Sequence, residues 1–215
     1  MEANAIGELP LPQRLALAYA PARSRGPTLA LLAYDAQLAL IVRRTTEPIL
    51  GQMRLAWWRD QLALPATQRP QGNRVLAMLA VLEGEEDALQ EMASGWEVLL
   101  GEDLDADGIR EHSRSRAGGW LAMARLHGAD GENAGQAAQC WALGDLAANI
   151  GGAERELVIE QAGPLRATPI RLPRELRPLA VLAGLGRRSL ARGGVPLLGG
   201  PGSVLAAIRL GITGR

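Results

Sequence analysis

Lysine and phenylalanine are absent from the 215 residues, and cysteine occurs once, at Cys140. A single thiol excludes an internal disulfide, and with only His112 and His127 beside it the chain argues against protein-ligated zinc. Without lysine there is no Gly-Lys-Ser/Thr phosphate loop. No Gly-x-Ser-x-Gly elbow occurs, and no Gly-x-Gly-x-x-Gly follows a strand pattern. Long apolar runs are missing too. The longest, Leu29 to Val42, has 14 residues, contains Asp35 and Gln37, and is too short and too polar to span a bilayer. Met1 to Pro12 carries Glu2 and Glu8 without a basic start, so no secretory signal is read. The expectation is a reducing, cytoplasmic protein, with peripheral contact at an inner membrane left open.

What is present favours helix. Alanine and leucine, 36 of each, make a third of the chain. Small alanine-packed helices therefore have to build the core, with five tryptophans supplying most of the bulk. Alternating β-branched and aromatic runs are almost absent. The 23 arginines balance 23 acids, so no global field recruits nucleic acid. The balance is uneven along the chain: −8 over residues 1–162 and +8 over residues 163–215, where Glu175 is the lone acid. Glu83 to Glu111 holds 11 acids against Arg110. Two readings stay open: the basic end closes over the acidic middle, or it faces an anionic partner.

Helices are predicted over Leu11 to Ala20, Leu29 to Arg44 with Thr28 as cap, and Glu47-Pro48 to about Leu64. Others are placed at Arg74 to Leu82, Asp87 to Leu100, Gly108 to Leu126, Gly135 to Ile150, Leu176 to Arg192 and Ser203 to Leu210. Leu29 to Arg44 is apolar nearly all round, which places it centrally. Gln161 to Pro173 and Gly193 to Gly202 read as Gly/Pro-rich loops, too short and apolar for interdomain linkers. The expectation is one all-α domain over residues 1–215.

Generic catalytic candidates are few. Gly184-Leu-Gly186 and Gly199-Gly-Pro-Gly202 read as turns and close helix contacts. Cys140 has no neighbouring base and sits beside Trp141 in a packed helix pattern. His112 stands among Arg110, Arg114 and Arg116, which would hold it neutral or solvent-facing.

The informative stretch is Leu29 to Leu62, and within it Glu47-Pro-Ile-Leu-Gly-Gln-Met-Arg-Leu-Ala-Trp-Trp-Arg-Asp60. With Pro21, Arg23 and Leu31-Leu-Ala-Tyr34, this stretch resembles the squalene/phytoene synthase family of head-to-head isoprenyl diphosphate synthases. The block at 47–60 is similar to the branch that contains the mitochondrial complex I assembly factor and its bacterial relatives. Weaker similarity extends through Gly118 to Gly128, Gly144 to Asn149-Ile150, and Arg171-Leu-Pro173. The resemblance implies an all-α bundle of the isoprenoid synthase type, somewhat truncated at its C-terminal end.

It also implies a chemistry, and the matching positions depart from it. Synthases of the family hold Mg²⁺ on two aspartate-rich motifs facing each other across the bundle, and the metal grips the substrate diphosphate. Aligned through Ala33-Tyr34, the first motif falls on Ala39, Leu40 and Arg43; aligned through Asn149-Ile150, the second falls on Gly152 to Glu156. Alanine and leucine offer no oxygen, and an arginine repels the metal. Asp145 and Glu156 remain nearby, though not as matching turns. The expectation is a non-catalytic member with no cofactor, binding an isoprenoid, a lipid or an assembly partner of a respiratory complex. The alternative is a working Mg²⁺-dependent phytoene or squalene synthase. Candidate pocket or anion-binding residues are Tyr34, Arg43, Arg44, Arg54, Trp57, Trp58, Asp145 and Asn149. Arg43, Arg44 and Arg54 are candidates for one phosphate-neutralising cluster, or for a solvated helix end. Trp57 and Trp58 are read as core packing for at least one of the two, with Arg54 placed to stack on Trp58.

Overall fold

The computed structural model describes residues 2–167 and 169–214 and is all-α. Twelve α-helices occur among the described residues, with short 3-10 turns between some of them. They are α1 (Glu2–Glu8), α2 (Leu11–Leu17), α3 (Ala22–Arg44), α4 (Pro48–Leu62), α5 (Arg74–Leu79) and α6 (Glu86–Glu97), followed by α7 (Ala106–Leu126) and α8 (Gly131–Asn149). The chain ends through α9 (Gly152–Gln161), α10 (Gly163–Ala167), α11 (Arg177–Ala191) and α12 (Pro201–Thr213). No helix among them is long and apolar enough to cross a membrane.

Helix α3 is the central element, as its apolar circumference requires. Leu29, Leu31, Leu32, Tyr34, Leu38 and Ile41 are all buried, on more than one side of the helix. Its start differs from the prediction. Thr28 is not a cap; the helix begins six residues earlier, at Ala22, with Pro21 at the cap position, and runs through Pro27. A proline inside a helix removes one backbone hydrogen bond, but Ser24, Pro27 and Thr28 are all buried here, and tertiary packing offsets the loss.

Three other corrections follow from length and composition. Helices α1, α9 and α10 were not expected. α9 buries only Val158 along its ten residues, so it carries almost no apolar periodicity to read. The stretch read as a loop from Gln161 contains α10, and its Thr168 lies outside the described residues.

The tightest crossing is between α8 and α11. A Cβ on Gly144 would run into the backbone of Gly186, and one on Gly186 would come within 2.8 Å of the Cys140 carbonyl and 2.9 Å of the Trp141 Cα. Two glycines thus let the helix backbones touch, and Gly184-Leu-Gly186 is a packing motif within a helix. Four of the five tryptophans are buried, with Trp120 and Trp141 edge to face at 6.2 Å. Cys140 is buried beside them, and burial pushes its thiol up to about 11, against the opposing pull of Arg187 and Arg166. That is the inert thiol expected.

The acidic middle finds cations in the first part of the chain. Glu85, Glu86 and Glu97 pair with Arg125, Arg69 and Arg59, while Asp107 and Glu111 pair with Arg110 and Arg114. Glu175, the single acid after residue 162, pairs with Arg23.

Candidate functional site

Helices α3, α7 and α8 meet around one buried ion set. Asp35 on α3 and Arg116 on α7 are each only 1% exposed. Arg116 donates from Nε to Asp35 Oδ1 and from Nη2 to Oδ2, both at 2.8 Å, in a two-pronged pair. The same carboxylate accepts from the Trp96 indole at 3.1 Å and from the Gln13 amide at 3.2 Å. Four donors converge on two oxygens, which is what a carboxylate removed from water needs.

Arg116 is held as firmly. Its guanidinium lies between two indoles, 4.6 Å from the Trp96 centroid and 4.2 Å from that of Trp141. Its third nitrogen, Nη1, is 2.9 Å from Asp145 on α8, close enough for an ion pair but off hydrogen-bond geometry. Burial works against the charged form, and Asp35 and Asp145 together outweigh it and raise the guanidinium further above its usual range. Asn149, one turn beyond Asp145, donates to its carbonyl at 2.7 Å. An arginine therefore bridges α3 and α8.

Two cavities, of about 190 and 380 Å³, border this bridge. Ala39, Arg43, Arg116, Asp145 and Asn149 line both. The smaller one is walled by aliphatic side chains, Val42, Leu99, Leu104, Leu146 and Ile150 among them, with Glu154 and His112 contributing polar atoms. The larger one adds Gln13 and the Pro196–Leu198 segment.

His112 is neutral, as expected, but is not solvent-facing. It is fully buried, edge to face with Trp96 at 5.0 Å, and its Nδ1 donates to the Gly95 carbonyl at 2.9 Å. Burial first, and then the Arg116 charge, pull it down to about 4 from 6.5. The folded state thus refuses a proton that the unfolded chain accepts below about 6.5. Stability is unaffected above that pH, falls as pH drops through the window from 6.5 to 4, and stops falling for this reason below it. His112→Asn keeps the donor to Gly95 and cannot titrate. Urea titrations across the window should show wild type losing up to ~3 kcal/mol relative to this variant by its lower edge. A difference independent of pH would remove the assignment.

The other expected residues scatter. Tyr34 is fully buried, gives its hydroxyl to the Leu89 carbonyl at 2.9 Å, and packs 5.3 Å from Trp58. Burial, and Asp35 after it, hold that phenol protonated. Arg43 joins Asp145 and Asn149 at both central cavities, whereas Arg44 lines a separate one with Glu8 and Arg74. Arg54, Trp57 and Trp58 border a fourth, with Gln37 and Ile41. The three arginines do not share a cavity, because neighbours on α3 diverge by about 100° and α4 lies across it. Trp58 is core and Trp57 is 40% exposed; the arginine found stacked on indoles is Arg116.

The residues that sequence reasoning missed are Asp35, Arg116, Trp96, Trp141 and Gln13. Asp35 in the longest apolar run, and Arg116 beside Ala-Gly-Gly-Trp, carried the signal: a lone charge on an apolar helix face needs a buried partner.

The model of the squalene/phytoene synthase family matches residues 14–144, more than half of the chain. The chain belongs to that family. No curated protein and no solved structure matches it. The family match takes in Asp35, Arg43, Arg116 and Trp141 and stops one residue before Asp145.

Family membership implies Mg²⁺, and the residues present do not fit it. Ala39, Leu40 and Arg43 provide no oxygen where the first motif falls. Asp145 faces the Arg116 cation, and Glu156 is exposed outside the lining of both cavities. Among the described residues no three His, Cys, Asp or Glu side chains converge on one point. The cation between α3 and α8 is the Arg116 guanidinium.

Proposed function

We propose that the protein is a non-catalytic member of the squalene/phytoene synthase family that uses the synthase scaffold for binding. One observation carries the reading: Arg116 neutralises Asp35 and Asp145 from within the fold, and Arg43 stands where a metal-binding carboxylate would be. Ionising an allylic diphosphate needs strong stabilisation of the leaving group. Arg43, at the edge of both cavities, binds an anionic head group without supplying the two-metal electrophile that turnover needs. The aliphatic wall of the smaller cavity suits an isoprenoid or lipid chain. The resemblance of the 47–60 block supports a binding role in the assembly of a respiratory complex.

A working synthase is the second reading. Asp145 and Glu154 both line the smaller cavity, which favours it. Incubation with farnesyl and geranylgeranyl diphosphate, Mg²⁺ and NADPH separates the two. The expected result is no squalene or phytoene above a metal-free control. Metal-dependent product that disappears in Asp145→Asn would establish the synthase instead.

A further inference from the structure

We propose that the outer face of α12 docks the protein on an anionic lipid surface. The inference goes beyond the binding role above and does not depend on it. Val204, Leu205, Ile208 and Ile212 are 46%, 68%, 39% and 68% exposed. Their spacing puts them on one stripe along the length of the helix. The stripe is not the result of loose packing. The opposite side is fixed: Ser203, Ala207, Leu210 and Gly211 are buried, Leu210 seats on Gly184 of α11, and Gly211 lies flat against the Tyr19 ring. Rotating α12 to hide the stripe would expose these contacts and bring a side chain onto Tyr19.

Charge identifies the occupant. α12 carries no acid and one arginine, exposed Arg209 at the edge of the stripe. The Arg188 guanidinium lies against Gly202 at the start of the helix and that of Arg177 against Gly214 at its end, with exposed Arg192 following α11. The one acid of residues 163–215, Glu175, is paired with Arg23. An apolar stripe flanked by exposed Arg209, with Arg188 and Arg177 at the helix ends and the one acid of its segment already paired, complements a bilayer surface of anionic headgroups. Arginine stems lie along apolar surface while their heads reach phosphate.

A second exposed apolar stripe, Ile49, Leu50, Met53 and Trp57 on α4, provides the internal comparison. Arg54 edges this stripe as Arg209 edges that of α12, but Asp60 falls two turns beyond Met53 on the same line, an anion where lipid phosphate would sit.

Co-sedimentation of the full chain with phosphatidylcholine vesicles, with and without phosphatidylglycerol, tests the proposal. Binding is expected only with phosphatidylglycerol, strong at low ionic strength and weakened by physiological salt. Leu205→Gln with Ile212→Gln should weaken it at least about tenfold, and Arg209→Gln about fivefold. Both changes fall on exposed side chains, so thermal unfolding should not move. Ile49→Gln with Leu50→Gln on α4 should leave vesicle binding unchanged. The proposal is overturned by absence of vesicle binding, by loss of binding in the α4 variant alone, or by light scattering that shows the α12 variant breaking a dimer.

Discussion

Replacing Arg116 by leucine is expected to destabilise the protein by ~3–5 kcal/mol, which is much of what a domain of this size has to lose. The variant leaves Asp35 buried with its two strongest donors gone and only the Trp96 and Gln13 hydrogen bonds remaining. Asp145 is affected less, because it is partly exposed and water reaches it. Arg116→Lys keeps a cation but loses the two-pronged geometry and the guanidinium contacts with the Trp96 and Trp141 rings, so it should fall between leucine and wild type. Adding Asp35→Leu to Arg116→Leu removes the orphaned charge and should recover a large share of the loss. Urea unfolding of wild type, Arg116→Leu, Asp35→Leu and the double variant measures the cycle, with Arg116→Lys read beside them. If Arg116→Leu lies within about 1 kcal/mol of wild type, the buried pair is not holding α3 and α7 together.

Gly144→Ala should cost about 3 kcal/mol, at the upper end of what overpacking does to a core. The added methyl meets the backbone of Gly186, which has no rotamer to yield, so α8 and α11 must separate along their crossing. Trp141 and Cys140 lie on α8 beside the contact, and the separation would loosen the indole under Arg116. Gly135→Ala is the control on the same helix. There the nearest atom to a new Cβ is a Leu121 methyl at 3.4 Å, an ordinary contact, and better helix propensity should leave stability equal or slightly higher. Thermal unfolding distinguishes the two sites directly. Equal melting temperatures for both variants would mean that the helices give way at little cost.

The helices themselves were legible because composition and period report burial directly. Leu29 to Arg44 could be placed centrally from its apolar circumference, and Glu47-Pro48 marked the start of α4 because proline suits a first helical turn. The family, too, was written in one contiguous block, and so was the absence of carboxylates at Ala39, Leu40 and Arg43. Local rules failed where tertiary contacts outweighed them. Thr28 read as a cap and is buried inside a helix that runs through Pro27, while α9 has too small an apolar face to announce itself. The site depended most on tertiary structure. Asp35 and Arg116 are 81 residues apart, and nothing in sequence pairs one arginine among 23 with that aspartate. Only the crossing of α3, α7 and α8 decides that this guanidinium is the one buried against Asp35, and that Arg43, Arg44 and Arg54 do not share one cavity. The sequence by itself determined that the chain folds as a helical synthase-family member and that Ala39, Leu40 and Arg43 carry no carboxylate. Which cation fills the centre, and which apolar stripes stay outside, was decided by the packing of helices distant in the chain, because burial energy depends on neighbours in space.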